Sequence, residues 1–306
     1  MDKKWGTIMA LISGTAYGIV PVLSKFAYQN GINVISVLLL RFLGVFLIIW
    51  LYQKIYWSDR KLPCLTVVKL ISLGALVYAG QSGLYMLSFT TIPVSLACIL
   101  LYLYPTFVTI CAAILSIEKL TRQKAMALIL ATTGLVLLLR VSFAGVNLIG
   151  IIYGIGAAVL YATYIIIGTN IIKGVEPIIA LMYIMMGTSI AYGLVGLASG
   201  EVFLKLSLSN WILMASMVFF MVTALIFLWL SVKVVGPVKA SIISTVEAPV
   251  TMFLSAIVFR ERITVVQLLG SFMVITAVIL LQYSSEEKVN MDTEITLKKN
   301  RRSSGI

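Results

Sequence analysis

Apolar residues run along this chain in long unbroken stretches, interrupted by short clusters of charge, glycine, proline and serine or threonine. Ten such stretches are readable, at 5–28, 34–56, 67–90, 93–117 and 123–140, then 148–170, 177–199, 210–232, 238–259 and 265–283. Each approaches or exceeds the length of about 20 apolar residues that a helix needs to cross a bilayer. The pattern therefore predicts ten transmembrane helices. The weakest punctuation lies between the third and fourth, where only Ser88-Phe89-Thr90-Thr91-Ile92-Pro93 breaks the run. The first stretch follows Lys3 and Lys4 as a signal peptide would, but it is too long for that reading and leads into more spans, so it is expected to be a helix.

Composition agrees and narrows the function classes. Of 306 residues, 61% are hydrophobic and 11% charged, and mean hydropathy is +1.08. Soluble domains carry roughly 45–50% apolar and about 25% charged residues. Lipid is thus the solvent, and little chain is left for a soluble catalytic domain. Histidine is absent, which removes Ser-His-Asp triads, HExxH zinc sites and histidine proton relays. Asp2, Asp59 and Asp292 all fall outside the apolar stretches, so paired-aspartate intramembrane chemistry is excluded too. No enzyme, no cofactor and no metal site is expected. Cys64, Cys98 and Cys111 form no CxxC, and the last two are roughly 20 Å apart along one predicted helix, so they read as small packing residues.

The net charge of +12 signals no nucleic acid here, because its sidedness carries the meaning. With the N-terminus inside, most of the 23 Lys and Arg residues fall in cytoplasmic segments. Only Arg140, Lys205, Arg260 and Arg262 fall outside, and Lys25 and Arg41 lie within spans. The positive-inside rule then predicts both termini cytoplasmic, in a multi-pass protein of the cell (inner) membrane. The polar segment 284–306 is expected to be a disordered cytoplasmic tail. Trp5, Tyr28, Trp50, Tyr56, Trp57, Trp211 and Tyr283 lie at span ends, as interfacial anchors do.

A shift of 144 residues aligns the two halves. Gly6 then falls on Gly150, Tyr17 on Tyr161, Pro93 on Pro237, Pro105 on Pro249 and Ala112 on Ala256. The turn Ile117-Glu118-Lys119-Leu120-Thr121 meets Arg260-Glu261-Arg262-Ile263-Thr264 with a one-residue slip. Matching prolines and an acidic turn at one offset mark an internal repeat, predicting units at 1–140 and 141–283. Five spans per unit is an odd number, so the second unit enters the membrane inverted. Inverted repeats that rock about a midplane site are the architecture of secondary transporters. Pro21, Pro105 and Pro249 lie inside spans and are expected to kink them. Gly150, Gly154 and Ala158 form a small-residue face for close helix contact.

The chain resembles the EamA-type members of the drug/metabolite transporter superfamily, ten-helix exporters built from two EamA repeats. The resemblance covers almost the whole chain. It rests on the blocks from Tyr104-Pro105 to Glu118 and from Glu247-Ala248-Pro249 to Glu261, together with Pro93-Val94-Ser95-Leu96-Ala97, Arg41-Phe42 and Tyr161-Ala162-Thr163-Tyr164. One departure is Ala127, where relatives often carry glycine and the second half keeps Gly270. The resemblance implies export of amino acids and other small metabolites, usually coupled to an ion gradient. A passive facilitator or channel for small amphipathic solutes is the alternative. The partners expected are a small-molecule substrate, the lipid bilayer and protons as coupling ion.

Several residues could carry transport. Glu247 is about 14 Å into the ninth span, where a charge costs on the order of 3 kcal/mol, so it must be neutralised or paired. It is a candidate proton carrier, or a counter-ion for a substrate amine, or a structural carboxyl bonded to a neighbouring helix. Arg41, roughly 10 Å into the second span, is a candidate carboxylate anchor or an arginine tied to helix-end carbonyls. Lys25 is close enough to its span end to snorkel. Tyr78, Gln81 and Tyr85 share one helical face of the third span. With Tyr17, Tyr102, Tyr104, Tyr161 and Tyr164 they form a candidate polar aromatic binding wall, the alternative being packing with each hydroxyl bonded internally.

Overall fold

The computed structural model describes residues 3–56, 62–92, 94–139, 147–172, 174–202, 206–260 and 262–281. Within them the chain is helical: α1 (Lys3–Gln29), α2 (Val34–Tyr56), α3 (Cys64–Ser72), a π-helical segment (Leu73–Tyr78), α4 (Ala79–Phe89), α5 (Val94–Leu101), α6 (Tyr104–Ile114) and α7 (Arg122–Leu139). The second half continues with α8 (Leu148–Ile171), α9 (Pro177–Ser199), α10 (Leu208–Val235), α11 (Pro237–Ser244) and α12 (Glu247–Phe259). A shorter apolar helix, α13 (Val265–Leu281), follows. Among the described residues nine helical stretches are long and apolar enough to cross a membrane, and α13 is an apolar helix shorter than these. The predicted tail, Trp57 and Tyr283 lie outside the described residues.

Local chemistry explains the ends. Asn147 accepts from the Ile149 N–H and Ser207 from the Asn210 N–H, capping α8 and α10. Pro177 and Pro237 start α9 and α11, where a missing N–H costs nothing. Gly200, at φ +68°, ends α9 in the left-handed region that glycine tolerates. Large apolar side chains cover the outside: Leu197, Ile114 and Ile257 are 78%, 75% and 75% exposed. Only lipid makes such a surface stable. Trp5, Tyr28, Trp50, Tyr56 and Trp211 are exposed near helix ends, as expected of interfacial anchors.

The backbone repeats itself as the sequence does. The fourth span is interrupted at Tyr102-Leu103, between α5 and α6, and the ninth at Thr245-Val246, between α11 and α12. Pro105 and Pro249 stand just after these breaks, and each lacks the N–H that would continue the ladder. Pro21, by contrast, leaves α1 a single continuous helix. The fourth and ninth spans also end alike, in the left-handed residues Ser116 (φ +53°) and Arg260 (φ +56°), one repeat apart.

Packing obeys the same symmetry, and it interleaves the halves. Helix α1 packs against α10, α11 and α12 of the second half, while α8 packs against the π segment, α4, α5 and α6 of the first. Helices α2 and α9 bridge the two groups. Two bundles result, spans one, eight and nine, and spans three, four and six. Each holds one helix lent by the other repeat. Gly134 on α7 and Gly270 on α13 let those helices approach so closely that an added Cβ on either would meet the other's backbone. Ala127 is fully buried on α7 without disturbing this contact. Gly154 makes room for Leu100, which assigns the small-residue face of α8 to packing.

Candidate functional site

The two interrupted spans cross where the bundles meet, and most of the polar side chains singled out above collect there. Glu247 is the first residue of α12, placed by the break in the ninth span. Tyr102, placed by the break in the fourth, turns its hydroxyl toward that carboxyl group. The two residues face each other from different bundles. The field of Glu247 also reaches Tyr17, Tyr78, Tyr85, Tyr104, Tyr161 and Cys98. Glu247, Tyr17, Tyr102 and Tyr161 are only partly buried, whereas Tyr78 and Tyr104 are 4% and 3% exposed. The former present accessible surface; the latter back them.

The aromatic rings form a connected wall. Tyr104 and Tyr161 are 4.6 Å apart between centroids, Tyr78 and Tyr164 4.5 Å, and Tyr161 lies stacked at 5.9 Å from Tyr164. Tyr104 donates to the Ser241 carbonyl at 3.2 Å, tying α6 to α11. Tyr164 is fully buried, edge-on to Trp229, and accepts the indole N–H at 2.7 Å. It supports the wall from behind. The Tyr17 hydroxyl is buried without a hydrogen-bond partner, beside that of Tyr78.

Two of the predicted wall residues have polar partners of their own. Tyr85 shares a hydrogen bond with Cys98 at 3.0 Å, so that thiol has a polar contact and is more than the packing group expected. Gln81 is buried and accepts from Ser82, which neighbours the Tyr192 hydroxyl. A π-helical turn, Leu73–Tyr78, stands directly before α4. Close backbone approach of α9 accompanies it: an added Cβ on Gly74 would strike the Ile184 carbonyl, and Thr188 donates to the Gly74 carbonyl at 3.1 Å.

Arg41 forms a second pole. Its guanidinium lies 4.8 Å from the Phe42 ring centroid, and its buried Nε has no hydrogen-bond partner. Its field reaches Tyr28, Tyr78 and Tyr192. Phe42 is itself stacked on Tyr192 at 5.6 Å and edge-on to Tyr78 at 5.6 Å. No ion pair joins Arg41 to Glu247 among the described residues; Tyr78 senses both charges. Lys25 is exposed at the end of α1, with its ammonium 4.0 Å over the Phe259 ring, outside this cluster. Among the described residues no group of His, Cys, Asp and Glu could hold a metal ion.

Trp229, Tyr192 and Phe42 complete the site, and the sequence reading assigned none of them a part in it. Trp229 lies in an evenly apolar helix with no periodic signal, and Tyr192 in an equally apolar one. Phe42 stands out in the sequence only beside Arg41.

Comparison with known proteins bears on the fold. Residues 4–140 and 148–283 each match the model of the EamA-like transporter family. One solved crystal structure superposes with a TM-score of 0.77, covering 94% of this chain and 99% of its own at 12% identity, which shows a shared fold. No curated protein sequence matched.

Proposed function

From the premise that the chain belongs to the EamA-like transporter family, matched over both halves, we propose that it is a secondary active exporter of small amphipathic metabolites. Amino acids and their analogues are the first substrates to try. One observation carries the reading: the two broken spans, one from each repeat, meet where Tyr104 donates to the Ser241 carbonyl and Tyr102 faces Glu247. Discontinuous helices at a repeat interface are where transporters of this architecture bind substrate. Rocking one bundle against the other would open the site to each side in turn.

A substrate amine would displace Tyr102 at Glu247, a substrate carboxylate would meet the unpaired Arg41 Nε, and its side chain would rest on Tyr161 and Tyr17. Arginine suits a carboxylate because its fork can donate two parallel hydrogen bonds. Glu247 is also the residue through which protons would couple to export, in an inner-membrane protein with both termini cytoplasmic. Proteoliposomes with a radiolabelled metabolite panel and an imposed pH gradient test this directly. Glu247→Gln is expected to abolish accumulation driven by the gradient. Full retention would remove Glu247 from coupling. Uptake without accumulation or counterflow in the unaltered protein would favour a passive facilitator.

A further inference from the structure

The acidic turn after the fourth span takes no part in the site above, yet it makes a charged contact between the bundles at their edge. One Glu118 carboxylate oxygen accepts the Val238 N–H at 3.1 Å, at the start of α11. The other accepts the Lys124 ammonium at 2.5 Å. Gly236, at φ +85°, brings the chain over the carboxylate so tightly that a Cβ there would overlap its oxygen. Lys239, one residue past Val238, is buried and partnered. A second contact lies on the same face, where Lys233 at the end of α10 reaches Glu176 before α9 at 3.5 Å. Glu118 hangs from the end of the fourth span, in one bundle, whereas α11 begins the ninth, in the other.

We propose that Glu118 is the latch of this face: its carboxylate caps the half-helix α11 and holds the two bundles closed there. The proposal rests on the alternating-access reading. Opening this face draws the ninth span from the fourth and must strip the Val238 N–H of its acceptor. A carboxylate at a helix N-terminus satisfies an orphan donor and the positive end of the helix at once. Because the acceptor comes from the other bundle, that stabilisation exists only while the face is shut. Lys124 fixes the carboxylate in its capping position.

Thiol accessibility tests this without a known substrate. The full chain, with Cys64, Cys98 and Cys111 replaced by serine and Tyr161→Cys as reporter, is labelled with a membrane-impermeant maleimide in right-side-out and in inverted vesicles. Glu118→Ala is expected to raise labelling from the Glu118 face about tenfold and to lower it from the opposite face, since one population grows at the other's expense. Glu118→Gln keeps a carbonyl acceptor for Val238 and should fall between. Lys124→Gln leaves the cap and should have a smaller effect. Unchanged labelling across the series overturns the latch. A rise on both faces also overturns it, because that marks a loosened fold. If the reporter is reached from one side only in every variant, alternating access itself fails, a result distinct from the other two.

Discussion

At the residue scale the site is defined by groups left unsatisfied. The buried Arg41 Nε and Tyr17 hydroxyl have no partners, and leaving such a group unmade costs on the order of 1–3 kcal/mol. A ligand that pairs with either recovers that cost on binding. Arg41→Gln is therefore expected to raise the KM for an anionic or zwitterionic substrate by ten- to a hundredfold, with kcat less affected, in proteoliposome uptake. Tyr102→Phe removes the hydroxyl that faces Glu247, where the substrate amine would sit, so apparent affinity is expected to rise while turnover falls. Glu247, Arg41 and several tyrosines could be read as candidates because polar groups within apolar runs are conspicuous. Cys98 could not, since a thiol in an apolar helix looks like packing until Tyr85 is seen beside it. The same holds for Trp229, whose role is to hold Tyr164.

Elements were legible where lipid or proline dictates them. Ten apolar runs predict ten spans, and Pro105 and Pro249 mark the breaks in the fourth and ninth. Pro21 shows the limit of that rule, because α1 runs unbroken through it. Its neighbour Thr251 donates to the Gly18 carbonyl at 2.8 Å, satisfying backbone near the proline from another helix. The π segment had no local signature, and α9, which packs closely on it, comes from far along the chain. Gly187→Ala tests that contact, because the new Cβ would land on the Ile71 carbonyl. Overpacking of this kind costs about 1–3 kcal/mol, so the thermal midpoint in detergent should fall by several degrees. Pro249→Ala should act oppositely, letting the ninth span close its ladder. Greater thermal stability with slower transport is the expected pair of readouts.

At the scale of the whole molecule, the repeat was readable from a handful of aligned prolines and glycines, but the exchange of helices between bundles was not. Which helix packs on which depends on side-chain fit across the bilayer, and uniformly apolar spans carry little of that information in their spacing. The contacts do sort the loops into two faces. Asn33 and Ser36 reach the Glu201 carbonyl on one, and Glu118 reaches Val238 on the other. Single-cysteine labelling at Glu201 and at Glu176 should therefore report opposite sides of the membrane, with the Glu176 side expected from the positive-inside rule to face the cytoplasm.

The lent helices also bear on how the protein is made. Helix α1 leaves the ribosome long before α10, α11 and α12, against which it packs. Until then the Gly6, Gly14 and Gly18 face of α1 has nothing to close on. Residues 1–140 expressed alone are expected to be degraded, while co-expression with 141–306 should restore a stable complex that co-purifies. The chain is in this sense a covalent heterodimer that has already swapped one arm, and assembly must wait for its last bundle to be threaded.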